Sequence, residues 1–393
     1  MIDGPRACRK EEFEETIALI NATFRTSSDQ NIRTDYPLIF NHDRLDNMRV
    51  LLVDGQVVAH VPVAPRQVVV GEDRITVGII SPTVTHPDHR HRGYATLCLR
   101  DNVRRMQENG WPVSVLWTQH ATFPFYHHSG WEAVGNQGWK FTLQPDDEAL
   151  FADAGFATIP YDANDPAHLD GVIAIHDSEP HRIARTRNEY ATLLTLPKVT
   201  TLLAMGGETI AGYVCVGTGS NKPGIIEAGG RPQAVETLIG RLLREREQAI
   251  QVVTNLTPTV LEDLLQERVP ATREPMENAA GIGPQMMRIN DLPLLMRQIQ
   301  GHLQARSAGL STQFTLHCID TGQTAALTLD DGHVDVTAEP ASEPLRLSER
   351  QLVQLIFGAH ASHEPVRIAD APTAALLERL FPVYFPIWEL DHS

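Results

Sequence analysis

Between Thr83 and Ala95 the chain reads Thr-Val-Thr-His-Pro-Asp-His-Arg-His-Arg-Gly-Tyr-Ala, a set of residue types suited to holding an anion. If a helix starts at its end, the unpaired backbone N–H groups of the first turn and their partial positive charge attract phosphate. Gly93 and Ala95 keep side-chain bulk away from that backbone, and Arg90 and Arg92 add charge and hydrogen-bond donors. His86, His89 and His91 share the segment, but it contains Pro87 and has no helical His-x-x-x-His spacing. The anion-binding reading already accounts for these residues, so no metal is expected.

Flanking elements must present this loop. Ile75 to Val84 reads as a strand leading into it. Tyr94 to Asn109 puts Ala95, Leu99, Val103 and Met106 on one helical face before Gly110 stops the helix. A further apolar strand, Val113 to Thr118, comes next. Upstream, Val50-Leu-Leu-Val-Asp-Gly-Gln-Val-Val-Ala59 reads as a hairpin with an Asp-Gly turn. The same pattern recurs at Thr201 to Ala211, with Gly207 in the place of Gly55, then a strand at Gly224 to Ala228 and a helix from near Pro232 to Arg246. Two copies of one α/β unit would explain the echo. The later Ala228-Gly-Gly-Arg-Pro-Gln-Ala234 lacks the arginine loop, and Pro232 removes an N–H that a phosphate would need. We therefore expect one anion site.

The last hundred residues change character. Asp291 can cap a helix with Pro293 in its first turn. Gln313 to Ile319, Thr324 to Thr328 and His333 to Val336 alternate like an antiparallel meander, and Ser348 can cap a helix closed by Gly358. The expected division is 1–145, 146–290 and 291–393.

The chain has 393 residues and a formal charge of −16, split as −1, −8 and −7 over those three segments. Only the first is near neutral, as an anion-holding segment requires. This acidity disfavours nucleic acid and an anionic membrane face, and suits a small cationic partner. No apolar stretch reaches the ~18–20 residues of a membrane helix, and the charged N-terminus is no leader, so a soluble, cytoplasmic protein is expected. Cys8, Cys98, Cys215 and Cys318 have no paired spacing and are read as reduced thiols.

Arg90-x-x-Gly93-x-Ala95 after a strand resembles the acetyl-CoA loop of the GNAT (GCN5-related N-acetyltransferase) superfamily. The segment Ala121-Thr-Phe-Pro-Phe-Tyr126-His-His-Ser-Gly130-Trp131-Glu132 is similar to the family's Phe-Tyr-x-x-x-Gly-Phe/Trp-Glu signature. The resemblance implies an acetyl-CoA-dependent N-acetyltransferase without a metal. It assigns cosubstrate contacts to Thr83, Val84, Thr85, Arg90, His91, Arg92, Gly93, Tyr94, Ala95, Thr96 and Thr122. It also gives Tyr126 the role of protonating the departing thiolate, which a phenol of pKa ~10 can do while staying protonated at rest.

The whole layout is similar to the Eis (enhanced intracellular survival) family, to which Arg185-Thr-Arg-Asn-Glu-Tyr190 and Ser348 to Gly358 add further likeness. This implies a mixed α/β and α+β architecture: tandem GNAT folds, the N-terminal one active and the central one degenerate, before a sterol-carrier-protein-like domain. It further implies a homo-oligomer, a hexamer in that family, and acceptors such as aminoglycoside-like polycations, polyamines or lysine side chains. In that family the terminal carboxylate is the base. Here it would belong to Ser393, where the family pattern has an aromatic residue. The competing expectation is a non-catalytic CoA- or lipid-binding protein on the same scaffold.

Overall fold

The computed structural model describes all residues except 26–29, 135–137, 218–223, 255–258, 276–284, 341, 359–365, 385–386 and 393, and the side chain of residue 271. The chain forms two compact units, residues 1–136 with 277–384, and residues 137–276 with 385–393.

In the first unit, Met48–Val53 and Gln56–Pro62 form the expected hairpin. Asp54 and Gly55 both adopt positive φ, 51° and 87°, which is the turn that matches strand twist. The hairpin lies in a four-stranded sheet, flanked by Ile2–Ala7 on one side and by the short strand Val84–Thr85 on the other. A second sheet runs in the order Ala64–Val70, Asp73–Ile79, Val113–Trp117, Gln285–Ile289, Glu132–Ala133. Although Gln285–Ile289 precedes the expected boundary at Asn290, it closes this first-unit sheet by pairing antiparallel with Val113–Trp117. Helix Tyr94–Glu108 buries Cys98, Leu99 and Met106 against the hairpin, and the Asn102 amide donates to the Val61 carbonyl at 2.9 Å. Gly78 permits this close packing, because a Cβ there would lie 2.3 Å from Met106 Sδ.

The rest of the first unit is an α+β module. Ser311–Cys318, Thr324–Asp330 and His333–Thr337 form the expected antiparallel meander. Pro344–Leu347 adds a strand parallel to Ser311–Cys318. Ser348 caps helix Glu349–Phe357 with a reciprocal capping box closed by Gln351, and Asp291 caps Leu292–Gln298.

The second unit is a seven-stranded sheet. Its hairpin, Val199–Gly206 and Thr209–Gly217, has a register irregularity at Ala204/Met205 where the first has one at Leu51/Leu52. Counted from these bulges, Asp54 corresponds to Gly207, one position off the match of Gly55 with Gly207 that the sequences suggest. Gly224–Gly230, helix Pro232–Arg244 and strand Ile250–Val253 follow. Trp139–Leu143, the first strand of this sheet in the chain, pairs antiparallel with Ile250–Val253, and Glu274–Pro275 pairs antiparallel along its other side at the sheet edge. Among the described residues no helix is long and apolar enough to cross a membrane.

Candidate functional site

The strand expected from Ile75 to Val84 is broken, and the break makes the site. Val77, Gly78 and Ile79 pair in parallel with Val113, Ser114 and Val115, and Ile80 N–H still donates to the Val115 carbonyl at 2.9 Å. Beyond Ile80 the two strands part. Val84 and Thr85 pair instead with His60 and Ala59 of the hairpin. A wedge therefore opens between Thr83–Thr85 and the end of Val113–Trp117. A parallel pair that separates in this way leaves backbone polar groups facing the gap, where an extended ligand can take up their hydrogen bonds.

At the mouth of this wedge, helix Tyr94–Glu108 starts at Gly93, whose φ of 78° favours glycine. No side chain caps this helix, and a Cβ on Gly93 would meet no atom within 4 Å. The first-turn N–H groups are thus left without a side-chain cap, as an approaching phosphate requires. Arg90 and Arg92 are exposed, and each is steadied by a main-chain oxygen: Arg90 Nε donates to Thr85 O at 3.4 Å and Arg92 Nη2 to Asp88 O at 3.1 Å. His91 is exposed at positive φ, while Tyr94, Ala95 and Thr96 are half-buried in the first turn.

Tyr126 lies on the short helix Phe123–His127, begun by Thr122 with Pro124 in its first turn. It is 9% exposed and packs edge-on against Phe125 and Trp131, with ring centroids 4.9 and 6.4 Å away. Burial pushes its phenol above the usual value, and the Thr83 hydroxyl beside it pulls weakly the other way. Thr83 Oγ1 is shut off from water and has no partner in full hydrogen-bonding geometry, so it is an orphaned polar atom at the root of the wedge. The structure thus brings the Thr83–Thr85 strand together with Tyr126, and sets the Arg90–Thr96 loop at the end of the same strand. Ser393 lies outside the described residues.

Two supports were not read from the sequence. The Thr118 hydroxyl lies 2.6 Å from that of Thr122 and ties the far wall to the Tyr126 helix. Buried Trp131 Nε1 donates to Ser114 Oγ at 3.1 Å, joining the turn after Tyr126 to the parting strand. The only sequence signal for either was their place at the ends of motifs. His127 lies 3.3 Å from Glu132, and burial holds its pKa below the usual value despite that carboxylate. Among the described residues no group of three or more His, Cys, Asp or Glu could hold a metal ion.

These parts can bind a diphosphate at the helix start, align an extended arm along a split strand and hold a protonated phenol beside it. Residues 5–134 match the family described as the acetyltransferase (GNAT) domain. No curated protein matches the chain. Among solved structures, the fold is similar to a GCN5-related N-acetyltransferase from Anabaena variabilis (TM-score 0.70, 16% identity, 97% of each chain). It is similar also to a probable N-acyltransferase from Enterococcus faecalis (TM-score 0.73, 17% identity, 97% of this chain and 95% of that one). Eis1 from Mycobacterium abscessus is a third (TM-score 0.60, 16% identity, 91% and 90%).

Proposed function

We propose that this chain, an acetyltransferase whose residues 5–134 belong to the GNAT family, moves an acetyl group from acetyl-CoA to a primary amine by direct attack in a ternary complex. The orphaned Thr83 hydroxyl and the uncapped, unobstructed helix start at Gly93 fit acetyl-CoA. Arg90, His91, Arg92, Gly93, Tyr94, Ala95 and Thr96 would hold its diphosphate, Thr83, Val84 and Thr85 its pantetheine arm, and Thr122 would line the same cleft. When bound, it supplies an activated acyl carbon. As the C–N bond forms and the C–S bond breaks, Tyr126 gives its proton to the sulfur, and a base takes one from the amine.

The observation that carries this reading is a buried phenol, held protonated, beside a split strand that ends in an uncapped helix. Ser393, through its terminal carboxylate, is the proposed base. A carboxylate of ordinary pKa ~3.5 is weak in water, so the role needs a desolvated pocket or a relaying water. The acidity of segments 146–290 and 291–393 favours a polycationic acceptor, of the class that includes aminoglycosides and polyamines. The second unit repeats the hairpin, strand, helix and strand order without the arginine loop, which supports a degenerate copy of the fold. The α+β module is proposed as sterol-carrier-like, and the assembly as a homo-oligomer.

Thiol release from acetyl-CoA across a panel of primary amines tests the function. Amine-dependent release is expected. CoA binding with no release for any amine would leave only a binding protein.

A further inference from the structure

Tyr126 sits on a helix of only five residues, Phe123–His127, too short to hold its own shape in water. Its placement must come from ties to the rest of the first unit. After the helix the chain folds back, and the Ser129 and Trp131 amides both donate to the Tyr126 carbonyl, at 2.9 and 3.2 Å. Other carbonyls at a helix end look outward for donors. Two arginines meet them here: Arg350 Nη1 donates to His127 O and Arg288 Nη1 to Ser129 O, each at 3.1 Å.

Both arginines belong to the first unit but come from far along the chain. Arg288 lies opposite Ser114 in the pairing of Gln285–Ile289 with Val113–Trp117, so it shares a face with the hydroxyl that holds Trp131. Its guanidinium carbon stands 5.5 Å from the centroid of the Trp131 ring. Nη1 also donates to Glu349 Oε2 at 2.8 Å, and Nη2 lies 2.5 Å from Oε1. Glu349 opens helix Glu349–Phe357, and its amide donates to Asp320 Oδ2 at 2.7 Å. Gly130 makes the approach possible: its φ is 93°, and a Cβ there would fall 1.7 Å from Arg288 Nη1 and 2.6 Å from Glu349 Oε2. The side chains of Arg288 and Glu349 are each 13% exposed. A pair so buried is a poor device for stability, since apolar replacements are often as stable or more so. It does fix geometry, because the planar fork meets a carboxylate and a carbonyl in one orientation.

We infer that Arg288 and Arg350 are positioning residues: with Glu349 they clamp the turn after Tyr126 and hold its phenol at the wedge, which makes the α+β module a working part of the transfer site. This rests on the proposed role of Tyr126 as acid. The arginine loop and the start of helix Tyr94–Glu108 are tied by other residues, so losing the clamp acts on turnover and spares cosubstrate affinity.

The test uses the full chain. Arg288→Met with Glu349→Gln removes the fork together with the charge it would leave unpaired, and is made both in the wild type and on Tyr126→Phe. Hydrogen exchange at the Ser129 and Trp131 amides reads closure of the turn independently of activity. The double variant is expected to speed that exchange and to lower kcat about tenfold, the scale of a slightly misplaced group, with the KM for acetyl-CoA held within about twofold. On Tyr126→Phe it should lower kcat by less than about twofold more, because the proton it positions is already gone. Unchanged exchange, a kcat within about twofold of wild type, or an equal loss in both backgrounds would overturn the inference. A Tyr126→Phe enzyme with the kcat of wild type would instead sink the acid itself, and the clamp's role with it. If the double variant does not fold, Arg350→Ala, at an exposed side chain, takes its place on the same criteria, with a loss of about fivefold in kcat expected.

Discussion

Replacing Tyr126 by Phe removes one hydroxyl from the site and little else. The ring keeps its edge contacts with Phe125 and Trp131, and Thr83 Oγ1, which makes no hydrogen bond of full geometry with the phenol, loses only a polar neighbour. The variant should fold. Its effect on turnover follows from burial: at 9% exposure, bulk water has poor access to protonate the sulfur in place of the phenol. A positioned acid contributes about 10²–10⁴-fold, and a thiolate, whose parent thiol has a pKa of ~8.5, is a tolerable leaving group even unprotonated. The lower end applies, about a hundredfold in kcat or ~2.7 kcal/mol. The KM for acetyl-CoA should move by less than about threefold, because the diphosphate and arm contacts lie elsewhere. The raised pKa of Tyr126 also keeps the acid form present through neutral and mildly alkaline pH, so wild-type activity should show no loss from phenol ionisation below pH ~10. Steady-state kinetics by thiol release at saturating amine, with a melting curve, is the assay. A kcat within about threefold of wild type in a folded variant would refute the assignment of Tyr126 as acid.

The other expectations concern the loop and the core beneath it. Gly93→Ala should cost about 1–2 kcal/mol of stability from its positive φ alone, since its Cβ meets nothing, and should raise the KM for acetyl-CoA about tenfold by obstructing the helix start. A melting curve and a KM measurement separate the two effects, and an unchanged KM would exclude the helix start as the anion site. His60 is fully buried on the strand that pairs with Val84, with Nδ1 3.0 Å from the Arg49 carbonyl. Burial drives its pKa down to about 3, against that hydrogen bond. The unfolded chain, with an ordinary value of ~6.5, then binds the extra proton first. Stability should be full above that pH and fall as pH drops from about 6.5 toward 3, by about 2 kcal/mol at pH 5. Urea midpoints at pH 7, 6 and 5 should show a shallower fall in His60→Gln, and equal slopes would contradict this.

How much of this was legible beforehand depended on range. The Asp54-Gly55 turn, the Tyr94 helix ended by Gly110, the Asp291 and Ser348 caps and the arginine loop all follow from residues a few positions apart, and all lie where the sequence puts them. The broken strand was read as continuous because Ile75 to Val84 is apolar throughout, and only pairing partners reveal where Val84 and Thr85 change sheets. The expected boundaries at 145 and 290 follow sequence neighbourhood and leave Trp139–Leu143 and Gln285–Ile289 each on the wrong side. Each pairs across a long separation, which no local pattern encodes. Arg185 was noticed only as part of a motif. Its bond to Asp391 spans 206 positions.

The most direct test is a matched count of thiol and product with isotope-labelled acetyl-CoA and an accepted amine, together with the intact mass of enzyme exposed to acetyl-CoA alone. The account predicts one labelled acetyl amide per thiol released, and an enzyme whose mass is unchanged without amine. Thiol release without acetylated amine, or a stably acetylated enzyme that passes its label to the amine, would contradict direct transfer in a ternary complex.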